Sequence, residues 1–278
     1  MNATKNTFSL TRLGLLLKRE YSVNWKQHAY RLLAIYGTFL VVLFFQLLTT
    51  EPDEAVSRTI HSFSTVVGFV CGVVSMVYLA QMMKPMETKT SRINYLMLPA
   101  TNAEKFVSRL LMATVGFWIT AIVALALATA SRYLFMPFMY VNPDLYHPMF
   151  GKVMAELFDF GGPNIDLNGT AMLSNFEGGM LILMFVVWGY SVYMLGGNIW
   201  YKNAFIKTVA AMTVITILGN LVLISLISAF GIEVTEHNFA TIVNTATGVL
   251  AALAIVNTWL SYRLFRRAQV IRNLKNML

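Results

Sequence analysis

Charge and cysteine are both scarce in this sequence of 278 residues. Only 12% of the residues are charged, 57% are hydrophobic, and the mean hydropathy is +0.61. Soluble globular domains carry about 25% charged residues, so this composition argues against a soluble fold. Cys71 is the only cysteine, and no intramolecular disulfide can form. The sequence shows no tandem repeat and no soluble domain, and we interpret it as one membrane domain.

The sequence also lacks the common motifs for metal binding, nucleotide binding and catalysis. The chain has no HExxH metal motif and no GxxxxGK[ST] phosphate-binding loop. Its four histidines, His28, His61, His147 and His237, lie outside the long apolar runs. We therefore expect no enzymatic activity, no catalytic residue, no metal site and no bound cofactor in this chain.

Six uncharged apolar runs dominate what is present. Each is close to the roughly 20 residues that a helix needs to cross the hydrocarbon core of a bilayer. They predict an all-α, polytopic integral membrane protein whose spans cover residues 32–50, 63–83, 110–130, 180–198, 209–230 and 239–260. Proton- and cation-coupled carriers usually place an ionisable group inside the bilayer. Because these runs contain no Asp, Glu, Lys, Arg or His, such a carrier is disfavoured.

The distribution of charge between the runs predicts the topology. Of the 21 lysines and arginines, all but Arg58, Arg132 and Lys152 fall in segments that six spans would place on one side. Positive residues near span ends favour the cytoplasm. We therefore expect both termini inside, in a bacterial cytoplasmic (inner) membrane. The basic balance follows from topology and gives no reason to expect a nucleic-acid partner.

Residues 1–31 carry an amphipathic pattern before the first run. Apolar side chains recur at three- and four-residue spacing, with cations on the opposite face. This pattern predicts an elbow helix in the headgroup layer, in contact with the lipid bilayer through Leu10, Leu13, Leu17, Tyr21 and Trp25. A simple surface anchor and a helix that braces the first span are both compatible with it.

The segment 84–109 lies between the second and third runs and carries a helix-start signal. Thr101 followed by Glu104 fits a capping box. A helix that starts at Asn102 meets no breaker before Ala130, and it would form a rod of about 43 Å at about 1.5 Å per residue. Force applied at the cytoplasmic tip of such a rod would reach the third span. An ordinary capped helix in a basic loop is the alternative.

The connection between the third and fourth runs is unusually long. Residues 131–177 form a long external segment, in which Pro148 could open a short amphipathic helix along Phe150, Val153, Met154 and Leu157.

The polar residues of the spans are amides and hydroxyls. Hydrogen bonds between helices explain them at about 0.6–2 kcal/mol each, and contact with a substrate is the alternative for Gln46, Gln81, Asn220, Asn244 and Asn257.

The loop and the tail resemble the membrane-spanning (permease) subunits of type-2 ABC exporters, in the short bacterial form without a fused ATPase. The resemblance is carried by residues 95–99 and 102–106, by the third span, and by residues 262–269 in the basic tail 261–278. Six spans in a transmembrane domain 32–260, inside termini and an amphipathic first helix also match. Many relatives have their largest external element between the fifth and sixth spans, whereas here it follows the third.

The resemblance implies a function and partners. It implies a permease that pairs with a second copy or a homologue and is driven by separate cytoplasmic ABC ATPase subunits. The ATPase would dock on the loop, and the implied contacts are Asn102, Glu104, Lys105, Phe106 and Arg109. A membrane scaffold, regulator or immunity protein without transport is one alternative. A carrier or channel that works without ATP is another.

Overall fold

The computed structural model describes residues 8–49, 56–135, 149–158, 166–167, 170–171, 175–230 and 236–267. The described chain is mainly helical. Its helices are α1 Leu10–Val23, α2 Trp25–Thr49, α3 Val56–Ala80, α4 Lys89–Leu96, α5 Asn102–Ala113, α6 Val115–Phe135, α7 Met149–Leu157, α8 Asn175–Ile199, α9 Ala204–Phe230 and α10 Glu236–Arg266. A short 3-10 turn, Lys84–Met86, precedes α4, and strand β1 Asp166–Leu167 pairs antiparallel with β2 Thr170–Ala171.

Among the described residues, six helical segments are long and apolar enough to cross a membrane. They are Trp25–Gln46, Arg58–Met86, Asn102–Leu134, Phe176–Ile199, Ala204–Val222 and Phe239–Arg266. Each contains or overlaps one of the six predicted runs, which confirms the number of apolar helices. The helices extend beyond most of the runs because helical hydrogen bonding continues into the polar residues at their ends. The long hydrophobic helices identify a multi-pass membrane protein.

The chain divides into two compact units, which are described separately. The first unit comprises residues 7–75 and 107–159, and the second comprises residues 1–6, 76–106 and 160–278. Two helices, α3 and α5, pass from one unit to the other. The predicted elbow helix, transmembrane domain and tail are consecutive stretches of sequence. The two units are instead defined by which residues are in contact, so each unit combines separate stretches of the chain.

In the first unit α2, α3 and α6 bury large apolar side chains. Phe39, Phe63 and Phe117 are almost completely buried, and their large rings contribute to the core of this unit. Polar contacts link the same helices: Tyr36 and Ser131 share a hydrogen bond of 2.8 Å. The Gln46 amide donates to the Ser62 hydroxyl at 2.6 Å.

Helix α7 belongs to the first unit. It spans Met149–Leu157, where a short helix was predicted after Pro148, and its residue Val153 is fully buried. The Leu157 side chain lies so close to α3 that a Cβ atom at Gly68 would be 3.3 Å from its Cδ2. His61 on α3 contacts the Glu156 carboxylate. This helix is therefore packed on the first unit through an apolar face.

The predicted helix from Asn102 to Ala130 is present as one span, Asn102–Leu134, with one irregular residue, Thr114, between α5 and α6. The Thr114 hydroxyl donates to the Leu110 carbonyl at 2.8 Å, and the Thr114 amide donates to the same oxygen at 2.9 Å. A threonine that bonds back to the preceding turn competes for that carbonyl and often bends a helix. The Trp118 amide in turn donates to the Thr114 carbonyl at 3.0 Å, so helical hydrogen bonding continues through Thr114.

In the second unit α8 and α10 run side by side and are joined by polar contacts at three levels. Asn244 donates to Glu177 at 3.0 Å, and Asn257 donates to Ser191 at 3.2 Å. A third contact, from the Asn198 amide to the Ser261 hydroxyl, measures 2.6 Å. Hydrogen bonds of this kind fix the register between helices in apolar surroundings, where dispersion alone discriminates weakly.

Gly197 brings the end of α8 against the end of α3. A Cβ atom there would lie 2.5 Å from the Ala80 carbonyl oxygen, which is backbone and cannot swing away. We expect Gly197→Ala to lower the free energy of unfolding by about 1–3 kcal/mol through overpacking, and to lower the thermal unfolding temperature of the detergent-purified protein.

Gly219 on α9 provides the matched control. A Cβ atom added at this position would meet nothing within 4 Å, so Gly219→Ala should leave the unfolding temperature unchanged or raise it, because alanine is the better helix former. Equal unfolding temperatures for the two variants would show that α8 and α3 are not in close contact.

Candidate functional site

The helix start at Asn102 is fixed by a reciprocal pair of hydrogen bonds. The Thr101 amide donates to the Glu104 carboxylate at 2.8 Å, and the Glu104 amide donates to the Thr101 hydroxyl at 3.2 Å. This is the predicted capping box, and it is confirmed. The Glu104 side chain is fully buried. Its role in this structure is to hold the first turn of α5.

The first arm of the loop is folded by local contacts. The Thr88 hydroxyl accepts from the Ser91 amide at 3.3 Å and caps α4. The Arg92 guanidinium then reaches back and donates twice to the Met86 carbonyl, at 3.2 and 2.8 Å. The Thr88 hydroxyl satisfies an amide at the start of α4, and the Arg92 bonds tie α4 to the 3-10 turn that precedes it. The segment before Pro99 therefore has a defined structure that is held by its own hydrogen bonds.

Two hydrogen bonds fasten the arms of the loop to each other. The Tyr95 hydroxyl donates to the Lys105 carbonyl at 2.8 Å, and the Lys105 ammonium donates to the Leu96 carbonyl at 2.7 Å. Lys105 is only 3% exposed. A buried ammonium is costly unless polar groups surround it, so the carbonyl contact offsets part of that cost. Arms α4 and α5 therefore form a closed structure.

Aromatic side chains join this loop to the last helix. Phe106 lies 5.4 Å from the Tyr262 ring and 5.9 Å from the Phe265 ring, and Tyr95 lies 6.3 Å from Phe265, between ring centroids. These four residues are called the loop aromatic cluster. Centroid distances of 4.5–7 Å are the favourable range for aromatic pairs. Because Tyr262 and Phe265 belong to α10, the cluster packs the loop against the end of the sixth span.

A second contact joins the loop to the connection between α8 and α9. The Arg92 guanidinium lies 5.7 Å from the centre of the Tyr201 ring, within the range of a cation–π interaction. Asn203, in the same connection, has a φ of 54°. Asparagine tolerates this left-handed conformation better than most residues, which lets the chain turn sharply into α9. The loop thus touches two other segments of its unit.

The structure places the predicted ATPase-contact residues in different environments. Glu104, Lys105 and Phe106 are buried against the chain itself, whereas Asn102 is exposed. Arg109 belongs to the first unit, where its guanidinium is 2.8 Å from the Glu20 carboxylate. The exposed surface of the loop consists of other side chains: Lys84, Glu87, Thr88, Lys89, Thr90, Asn94, Met97 and Pro99. Contact of any of these residues with a partner stays a prediction.

The predicted interfacial residues are divided between two helices. Leu10, Tyr21 and Trp25 are exposed, Leu17 is half-buried, and Leu13 is buried against the protein. Helix α1 ends at Val23, and Trp25 already begins α2. A helix exists where one was predicted, and its position in the headgroup layer stays a prediction.

The five predicted polar residues of the spans also differ from one another. Gln46, Asn244 and Asn257 bond to neighbouring helices, whereas Gln81 and Asn220 are exposed. Sequence reasoning missed Ser191, Asn198 and Ser261, which complete the contacts between α8 and α10. The sequence gives only a weak indication of these contacts, because serine within a span and a single asparagine at its end are common in membrane helices.

Comparison of the chain with known protein families, curated proteins and solved structures found no match. Function is therefore argued from the loop and its contacts. Within the described parts of the chain, no group of three or more His, Cys, Asp or Glu side chains could hold a metal ion. The arrangement that the loop offers is mechanical: a folded, closed loop packed against the last span.

Loss of one aromatic ring on α10 should loosen the loop. We expect Phe265→Ala to speed amide hydrogen exchange across residues 95–106 by about tenfold or more, since truncation of a buried Phe costs about 3–5 kcal/mol. Its neighbour Leu264 is 40% exposed, so Leu264→Ala is the control and should leave exchange in the loop unchanged. Equal exchange in both variants would contradict the cluster.

Proposed function

We propose that the chain is the permease subunit of an ATP-driven exporter of the type-2 ABC kind. Two membrane subunits would form the pathway, and separate cytoplasmic ATPases would supply the energy. The observation that supports this most directly is the loop aromatic cluster, because it gives a loop between two spans a packed connection to a third. A loop that served only to connect two spans would not need buried aromatic contacts with another span.

The cluster suggests how movement would pass into the membrane. A force on the loop would move Phe106, and the packed rings of Tyr262 and Phe265 would carry that movement to α10. Contact between Arg92 and Tyr201 offers a second route, toward α9. Helical hydrogen bonding continues through Thr114, so movement of α5 would also pass into α6. ATP binding at the partner would then shift the populations of two membrane conformations.

The exposed edge of the loop is the proposed ATPase-docking surface. Met97 projects from it with 74% of its side chain exposed, beside Asn94, Pro99 and Asn102. Flexible methionine side chains adapt to grooves in partners. Burial of Glu104, Lys105 and Phe106 gives these three residues the different role of keeping the loop folded. The docking contacts proposed here are therefore shifted from those that the resemblance implied.

Pairing of two membrane subunits is supported by α9. Its described side chains from Thr213 to Val222 are exposed, and Asn220 lies among them. A polar amide is unfavourable in hydrocarbon and usually finds a partner in another helix. A second copy or a homologue would provide one. The uncharged spans favour an apolar or zwitterionic cargo, such as a lipid, an amphipathic peptide or a drug, and the charge bias favours inside termini in a bacterial inner membrane.

Affinity purification tests the proposal. We expect the tagged chain, extracted in mild detergent, to co-purify with a Walker-motif ATPase that mass spectrometry identifies. Met97→Glu should abolish recovery of this ATPase, because a charge would replace the apolar side chain at the docking surface. This variant is preferable to changes at Glu104 or Phe106, because both side chains are buried and their loss would weaken internal contacts of the loop as well as any docking contact.

The control is Val23→Glu, which introduces the same charge at another exposed apolar position. It should retain the ATPase. Recovery of no ATPase in repeated detergents would contradict the permease proposal and favour a scaffold, a regulator or an immunity protein. Transport that survives ATP depletion would instead favour an independent carrier.

A further inference from the structure

Positive charge is concentrated at the loop end of the second unit. We use this name for residues 81–106, 199–207 and 261–267, which contain nine lysines and arginines but two acids, Glu87 and Glu104. Glu104 is buried in the capping box, so Glu87 is the one exposed carboxylate of these segments. Their exposed cations are Lys84, Lys89, Lys202, Lys207, Arg263, Arg266 and Arg267. The loop end therefore presents seven cations and one carboxylate.

Two contacts bring the basic segments together. The Arg92 guanidinium lies over the Tyr201 ring at 5.7 Å, so Lys202, the next residue, lies beside α4. The loop aromatic cluster packs the end of α10 on the loop, and the exposed Arg266 directly follows Phe265 of that cluster. Cations from the loop, from the connection between α8 and α9 and from α10 are therefore gathered at one end of the unit.

An apolar side chain stands among these cations. Met97 ends α4 and is 74% exposed, and Lys89 begins the same helix, about 12 Å away at about 1.5 Å per residue. Lys84 is exposed in the 3-10 turn before α4, and the Arg92 bonds to the Met86 carbonyl hold that turn against the helix. An apolar centre within a polar rim is the usual anatomy of a protein–protein interface.

The exposed edge of the loop lacks the features of a lipid-binding surface. Helix α5 begins at Asn102, eight residues before the third apolar run starts at residue 110, which places the loop about 12 Å beyond that run at about 1.5 Å per residue. Tryptophan and tyrosine anchor surfaces in the headgroup layer, and residues 84–102 expose neither. Arg263 differs, because it lies 5.0 Å from the centre of the exposed Trp259 ring. The cations of the loop are therefore placed for a partner outside the membrane.

We propose that the loop end docks on an acidic surface of the partner ATPase. Met97 supplies the apolar centre of the contact, and the exposed Lys84, Lys89 and Lys202 meet carboxylates at its rim. This inference rests on the proposed function, because it names a property of the ATPase that would bind the loop. Charges at the rim of an interface mainly raise the rate of association and make that rate depend on salt.

Association kinetics test the proposal. The ATPase that co-purifies with the chain is itself purified, and its binding to the full chain in phosphatidylcholine nanodiscs is followed by biolayer interferometry at about 50 and about 500 mM salt. The association rate should fall about tenfold between the two salt concentrations. Lys89→Glu should slow association about fivefold at low salt and hardly at all at high salt. A glutamate in the first turn of α4 is compatible with the helix, because negative charge is favourable there.

Lys18→Glu is the matched control, because it makes the same charge change at an exposed position on α1 of the first unit. It should change the association rate by less than about twofold. An equal fall in both variants would overturn the site, since it would indicate general attraction to a basic protein. Lys202→Glu should also slow association, and it replaces Lys89→Glu if that variant does not elute as a single folded species.

The remaining outcomes separate this inference from the proposed function. If the ATPase binds the wild type and neither salt nor Lys89→Glu changes the rate, the acidic partner surface is contradicted and the permease proposal stands. If no ATPase co-purifies or binds, both are contradicted. In phosphatidylglycerol nanodiscs the wild type should still associate about fivefold faster than Lys89→Glu. Equal rates there would show that lipid headgroups occupy the cations, and would overturn the assignment to a protein partner.

Discussion

The packing of Phe106 against Tyr262 and Phe265 is the contact on which the loop end of the second unit depends. Hydrogen bonds close the loop on itself through Tyr95 and Lys105, but they would leave it free to move as a whole. The aromatic rings remove that freedom because they bury apolar area between the loop and α10. A loop with this packing can transmit displacement, whereas a solvated connection of the same length would absorb it.

Charged groups in this protein serve contacts at the ends of spans, and polar groups without charge serve contacts within them. Glu20 and Arg109 form an ion pair in the first unit, and Glu177 meets Asn244 at the start of α8, while amides and hydroxyls join α8 to α10 farther along the helices. This separation follows from the cost of a charge in hydrocarbon, which is far higher than the cost of an amide that finds a partner. The proposed docking surface lies where charge is tolerated.

Local patterns predicted the features that depend on neighbours in sequence. The six apolar runs, the capping box at Thr101 and Glu104, and the short helix after Pro148 are all of this kind. The irregular residue Thr114 inside the helix that begins at Asn102 was not predicted, because threonine is compatible with a regular helix and its hydroxyl bond to the Leu110 carbonyl has no signature in the sequence. Burial of Lys105 and Phe106 depends on partners elsewhere in the chain. Phe106 and Phe265 are far apart in sequence, so no local period could indicate their contact.

Disulfide cross-linking between α5 and α10 tests the central claim most directly. In a Cys71→Ala background the chain has no other cysteine, and Phe106→Cys can be combined with Phe265→Cys or with Leu264→Cys. The account predicts that mild oxidation in native membranes joins the 106–265 pair much faster than the 106–264 pair, because Phe265 faces the loop and Leu264 faces away. Equal rates, or no cross-link at 106–265 while both thiols remain reactive, would contradict the packing of the loop against the last span.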